Sequence, residues 1–282
     1  MNAIFSRRKT IRFAVHSIIY LGLILAAAVV LVPIAWLVST ALKPAGDVFL
    51  FPPEPFPRVW MWQNFLTTWN SSNFPRYFFN TAFVTLCVMA GQVFTSSLAA
   101  FSFSRLRYRL RDKLFLIYLA TMMIPGQVVL IPSYILINRL GWQNTYQALI
   151  FPSMFSAFGT FLLRQFFMTI PRELDEAAHI DGASYFRVYA TIVLPLSKTS
   201  VATLSVFAFM GTWNSFLWPL VVVDNDAMRT LTLGLVNFRG MYTADYNLIM
   251  CATVFSILPI ILAYLSAQKY FIEGVAMSSL KG

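Results

Sequence analysis

The stretch ELDEAAHIDGASYFRVYATIVLPLSKTS, residues 173–200, is the most charged and least membrane-like segment of a chain that is otherwise mostly apolar. Its local chemistry is that of a helical hairpin. Pro171 suits a first helical position, and Glu173, Asp175 and Glu176 follow where a helix dipole favours negative charge. Asp181-Gly182 is a turn signal, because glycine reaches left-handed backbone freely, and Ser184 can cap a second helix. That helix carries Tyr185, Tyr189, Ile192 and Leu196 at helical spacing, which makes one face apolar. Ala177, Ala178 and Ala183 flank the turn, and such small side chains let another surface approach the backbone closely. The predicted unit is helix, glycine turn, helix, lying along a membrane surface. An arbitrary loop of this composition reads more simply as a solvated amphipathic linker, so the order and spacing of its residues must decide.

Outward from the hairpin the chain is membrane protein by composition. Of 282 residues, 58% are hydrophobic and 11% charged, against roughly 25% charged in a soluble globular domain. A bilayer core needs about 20 consecutive apolar residues per helix, and six runs qualify: 13–38, 77–103, 114–137, 146–167, 201–223 and 248–267. Asp, Glu and Lys are absent from them, and Arg164 is their only arginine. The expected fold is all-α and integral to the membrane, with six transmembrane helices and both termini cytoplasmic. With the N-terminus inside, fifteen of the 21 cations lie inside and six outside, as the positive-inside rule requires. Topology therefore accounts for the net charge of +10, and nucleic acid is not needed as a partner. Membrane lipids are, and RLRYRLRDK from Arg105 could touch anionic headgroups.

The expected organisation is a basic N-terminus at 1–12, one membrane domain at 13–268 and a cytoplasmic tail at 269–282. The charged loop 171–198 faces the cytoplasm, and loops 43–76 and 224–245 face outward. Pro52, Pro53, Pro55 and Pro57 rule out a continuous helix in the first outer loop, and its tryptophans read as interface anchors. Cys87 and Cys251 fall in apolar runs and read as buried hydrophobes. His16 and His179 each lack a second histidine or paired carboxylate at ligand spacing, so no metal site is expected. Arg164, at the inner end of its run, reads as snorkelling to the interface.

Spacing distinguishes the hairpin from a generic loop. Glu176-Ala177-Ala178, then Gly182 after three intervening residues, then Ile192-Val193-Leu194-Pro195 after nine more, resembles the EAA loop of ABC importer permeases. RQFFMTIP upstream, TWNSFLWPL at 212–220 and the tail KYFIEGVAMSSLKG extend the likeness to the smaller permease of maltose-type carbohydrate importers. The resemblance implies a type I importer permease fold in a bacterial or archaeal cytoplasmic membrane. It also implies a second homologous permease, two ATP-binding subunits that hold ATP and Mg, an extracytoplasmic solute-binding protein and a sugar substrate. By the same analogy Glu176, Ala177, Ala178, His179, Asp181, Gly182, Ala183, Tyr185 and Phe186 form the surface that docks on the ATPase. Residues 224–245 would face the binding protein, and 274–282 would reach the ATPase subunits.

Polar groups inside spans are costly unless they face protein or water, which singles out Gln92, Gln127, Tyr134 and Asn214. Trp213 beside Asn214 offers an aromatic plane next to an amide, a pair suited to a sugar, although Asn214 could equally hydrogen-bond a neighbouring helix. Pro125-Gly126 and Pro132 are expected to interrupt or kink the third span. No G-x-x-x-x-G-K-[ST], HExxH or GxSxG occurs, so the chain is expected to be non-catalytic, with no cofactor of its own. A secondary transporter would usually place ionisable residues in the spans, and the six runs here carry almost none. Relatives of this kind carry oligosaccharides, monosaccharides, polyols or glycerol phosphates, and the spans lack the cationic cluster that a phosphorylated solute would favour.

Overall fold

A computed structural model describes the backbone of residues 2–71, 73–241 and 245–279, and the side chains of 15–71, 73–236 and 245–269. Within these residues the regular structure is helical. In chain order the helices are α1 (Asn2–Ala41), α2 (Gln63–Asn70), α3 (Phe74–Arg105), α4 (Arg111–Ala120), α5 (Gly126–Arg139), α6 (Tyr146–Ile150) and α7 (Ala157–Phe167). There follow α8 (Glu173–Ile180), α9 (Tyr185–Val188), α10 (Leu194–Leu196), α11 (Lys198–Trp213), α12 (Leu217–Val222), α13 (Leu231–Met241) and α14 (Tyr246–Ser279). Four segments, 15–41, 74–105, 146–167 and 246–269, are long and apolar enough to cross a membrane. Two more pass as bent pairs, 96° between α4 and α5 and 80° between the hairpin's second arm and α11, which makes up to six spans.

The chain divides into two compact units. In the first, residues 1–69 and 238–254, α1 presents Ile18, Val29 and Leu31 outward, and its last carbonyls are capped by side chains. Asn64 Nδ2 donates to the carbonyls of Ala41 and Lys43 at 2.9 Å each, and Asn247 Nδ2 donates to Lys43 O at 3.2 Å. These supply partners that a helix C-terminus cannot provide for itself. Lys43 is only 2% exposed; its ammonium donates to Glu54 O at 2.6 Å and sits over the Trp36 ring.

In the second unit, residues 70–237 and 255–282, α3 is the central mast against which α7 and α11 pack. Gly159 on α7 permits this approach, since a Cβ there would stand 2.7 Å from Ser96 Oγ and 2.9 Å from a Leu204 methyl. One apolar cluster joins α3, α7, α11 and the hairpin through Phe101, Leu163, Phe167, Val188, Val193 and Leu204. Another gathers Val84, Val88, Ile137, Leu149, Val222 and Leu233.

Several expected spans are broken. The run 146–167 stops at Ile150, passes through a 3-10 turn and restarts at Ala157, because Pro152 has no N–H for Ala148 O and its ring crowds that carbonyl. The run 201–223 stops at Trp213 and restarts at Leu217, because Pro219 has the same effect on Ser215 O. In the third run the bend falls at Pro125, while Pro132 is carried inside an uninterrupted α5. Residues 224–245, expected as a loop, contain α13, seated where Gly234 lies against the Tyr77 ring. Residues 242–244 of that loop, and the expected contacts of the basic N-terminus and of 274–282, fall outside what is described.

Candidate functional site

The hairpin is built as its residues dictate, with α8 beginning at Glu173 rather than Pro171 and Arg172 in the cap position. It ends in a Schellman motif. Gly182 takes φ +78°, its N–H donates to His179 O at 3.0 Å, and Ala183 N–H donates to Ala178 O at 2.9 Å. His179 braces the turn, with Nδ1 donating to Ala183 O at 2.8 Å and the ring packed edge-on to Tyr185. Ser184 Oγ accepts from Arg187 N–H and caps α9. A π-helical turn at Tyr189–Val193 then rotates the register. The buried face is consequently Val188, Tyr189 and Val193, not the expected Tyr185, Tyr189, Ile192 and Leu196, of which Tyr185 and Leu196 are exposed. The hairpin exposes Ile180, 87% exposed, together with Tyr185 and Phe186 and Glu176, Ala177 and Asp181.

The hairpin's root is held by arginine. Arg105, at the end of α3, pairs with Asp175 of α8 at 3.1 Å, the two side chains being 4% and 14% exposed. Arg105 Nη2 also donates to the carbonyls of Phe167, the last residue of α7, and of Ile170 beyond it, at 2.9 and 3.0 Å. Arg172 reciprocates by donating to Ser104 O at 3.2 Å. Burial pushes the Asp175 carboxyl above its ordinary range, with the Arg105 charge opposing. An ion pair in such a place holds its elements together but is costly to leave half-made.

Deeper in this unit lies a cavity of about 580 Å³ walled by the three helix breaks: Gly126 and Gln127 from the first, Pro152 and Ser153 from the second, Asn214, Ser215 and Phe216 from the third. A second space of about 250 Å³ shares Ser153, Ser215 and Trp218 and adds Thr81, Thr85, Gln92, Thr212 and Thr230. Irregular backbone at membrane depth is tolerated where it lines a cavity and its polar groups are satisfied, and here side chains take four of its carbonyls. Trp218 Nε1 takes Ala148 O at 2.9 Å, and Thr232 Oγ1 takes Ser215 O at 2.6 Å. Gln92 Nε2 takes Ser153 O at 2.8 Å, and Thr95 Oγ1 takes Met154 O at 2.7 Å. Among the described residues, no Asp, Glu, Lys or Arg lines either space.

A charged hairpin rooted on spanning helices, and broken helices around an uncharged polar cavity, are features of a solute pathway. Residues 92–276 match the family model described as "Binding-protein-dependent transport system inner membrane component". The chain belongs to that family. It is an ABC importer permease, a multi-pass component of the inner membrane. Among its relatives is the "Probable ABC transporter permease protein YurM" of Bacillus subtilis, 34% identical over 252 residues, 89% of this chain and 83% of the relative. Another is the "sn-glycerol-3-phosphate transport system permease protein UgpE" of Salmonella typhi, 34% identical over 279 residues, 96% of this chain and 98% of the relative. In fold the permease resembles a chain of a bacterial ABC transporter that imports the acidic polysaccharide alginate. The TM-score is 0.80 at 23% identity, covering 92% of this chain and 96% of the other.

Of the polar residues singled out in the spans, Gln127 and Asn214 meet in the larger cavity and Gln92 reaches the smaller one. Asn214 also donates to Met210 O of its own helix at 2.9 Å. Trp213 does not join them: its indole is buried, donates to Ser256 O at 3.0 Å and stacks on Phe209, because adjacent helical residues point about 100° apart. Tyr134 packs on the apolar cluster of Val84 and Val222 instead of either cavity wall. The aromatics at the walls are Trp218, Phe216 and Phe155, which sequence reading passed over together with Ser133, Ser153, Thr85 and Thr212. Pro152 and Pro219 were the available signal. Among the described residues no three His, Cys, Asp or Glu side chains converge as metal ligands.

Proposed function

We propose that the permease carries a neutral, polyhydroxylated solute of the sugar class across the membrane. It would form half of the pathway beside a second homologous permease. The observation that carries this reading is the wall of the cavities, which offers hydroxyls, amides and an indole but no charge. Such groups exchange hydrogen bonds with sugar hydroxyls, and an aromatic face adds apolar contact. Glu176, Ala177, Ala178, His179, Asp181, Gly182, Ala183, Tyr185 and Phe186 form the docking surface for a cytoplasmic ATPase. Two copies of that ATPase bind ATP and Mg, and the permease itself is non-catalytic. An extracytoplasmic solute-binding protein delivers the solute to the opposite face; the alginate importer has been seen in complex with a periplasmic protein bound to an alginate pentasaccharide. Closure of the motor moves the hairpin, the arginine root passes that motion to α3 and α7, and the cavity opens alternately to each side. The names of several relatives favour a second reading, sn-glycerol-3-phosphate. Reconstitution with the co-purifying subunits and binding protein, followed by ATP-driven uptake of labelled neutral sugars and of glycerol 3-phosphate, separates the two. Uptake of glycerol 3-phosphate alone would overturn the neutral-solute reading, and uptake surviving ATP depletion would overturn the motor.

A further inference from the structure

We propose that the pocket formed by residues 107–113, between α3 and α4, binds the phosphate headgroup of an anionic phospholipid in the inner leaflet. The proposal rests on the reading that the hairpin faces the cytoplasm, because the Arg105–Asp175 pair and the Arg172 bond to Ser104 fix this turn beside the hairpin's root.

The pocket is an open space of about 470 Å³ lined by Arg107, Tyr108, Leu110, Arg111, Asp112 and Lys113. Three cations against one carboxylate leave it with a net charge of +2. The single acid is already engaged, Asp112 accepting from Arg111 at 3.1 Å and from Arg164 at 3.4 Å. Arg107 and Lys113 are exposed. Arg107 also borders the space that holds Asp175 and Glu176, but among the described residues neither Arg107 nor Lys113 makes an ion pair, and such an excess of cation is the signature of an anionic partner.

Backbone geometry points the same way. Leu110 takes φ +70°, a conformation that branched apolar residues rarely adopt, and its side chain is exposed between two arginines. Strain of this kind persists where the surroundings hold it for a purpose. Directly beyond the pocket, α4 turns Leu114, Leu116 and Ile117 outward. Cations at the mouth and an exposed leucine leading onto an apolar helix face match an amphiphile, whose phosphate is held by the first and whose acyl chains lie along the second. A soluble anion would use only the cations.

The test is native mass spectrometry of the full-length chain, solubilised in mild detergent with its co-purifying subunits, with cardiolipin, phosphatidylglycerol, phosphatidylethanolamine or inorganic phosphate added in turn. Wild type and the outer-face control Arg139→Gln should retain the two anionic lipids and release phosphatidylethanolamine. The double variant Arg107→Gln with Lys113→Gln, which removes no intramolecular ion pair, should hold the anionic lipids roughly thirtyfold more weakly, given the attraction of each cation to an anionic surface. Equal retention by wild type and double variant, equal retention of phosphatidylethanolamine, or displacement of the lipid by inorganic phosphate would each overturn the proposal. Lipid retention is read without transport, so its failure leaves the importer reading standing. Labelling of Arg107→Cys by an impermeant thiol reagent from the outside only would overturn the orientation and both readings with it.

Discussion

Gly182 stands at φ +78° with nothing within 4 Å of where a Cβ would sit, so a side chain there is opposed by backbone energy alone, about 1–2 kcal/mol. Gly182→Val should leave the spans inserted while abolishing uptake, and Gly182→Asn, which tolerates left-handed backbone better, should retain part of it. Co-purification of the ATPase with each variant shows whether docking or a later step is lost, and normal uptake by Gly182→Val would count heavily against docking. In the 224–245 segment, Asp226 accepts hydrogen bonds from Tyr77 at 2.7 Å, from Asn73 and from Arg229. The Tyr77 hydroxyl is the main reason its carboxyl lies below the ordinary value of 3.8. A depressed carboxyl contributes stability that is complete above its unfolded pKa and is lost as pH falls through the folded one. Thermal stability in detergent should therefore drop in acid, below about pH 4, and Asp226→Asn should flatten that part of the profile.

At the level of elements, the two proline breaks share one device. Pro152 frees Ala148 O and Pro219 frees Ser215 O, and a side chain from another element takes each carbonyl. Trp218→Phe keeps the ring but leaves Ala148 O without its donor, and should cost about 1–3 kcal/mol of stability, read as a lower melting temperature. If melting is unchanged, the bond does not hold the break. At the hairpin's root, Arg105→Ala removes two carbonyl partners and strands Asp175, for which a loss of about 3–5 kcal/mol is expected. The coupling role predicts more than destabilisation: solute moved per ATP hydrolysed should fall, and Asp175→Asn combined with Arg105→Met should recover stability more than coupling. Recovery of both together would make the pair merely structural.

For the whole molecule, the expectation is ATP-dependent uptake of a neutral sugar that competes poorly with glycerol 3-phosphate, measured in proteoliposomes; the reverse preference would point to cations supplied by the partner permease. Much of this architecture was legible in the sequence. Apolar length marks the spans because a bilayer accepts no shorter helix. The hairpin, its glycine turn and its serine cap follow from Asp181-Gly182 and Ser184, since such signals act through the backbone within a few residues. Partnership was not legible. Gln127, Ser153 and Asn214 stand far apart in the chain, and nothing local says that they line one space, whereas Trp213 looked suited to that space and is packed against Ser256. The Arg105–Asp175 root spans seventy residues and was equally invisible. Local propensity and hydropathy thus determined which segments are helical and which are apolar, because those depend on neighbours in sequence. Only the tertiary structure decided where the helices break, which side of the hairpin is buried and which polar groups face one another. Those outcomes depend on finding a donor for every freed carbonyl and a partner for every buried charge, and the candidates lie on other helices.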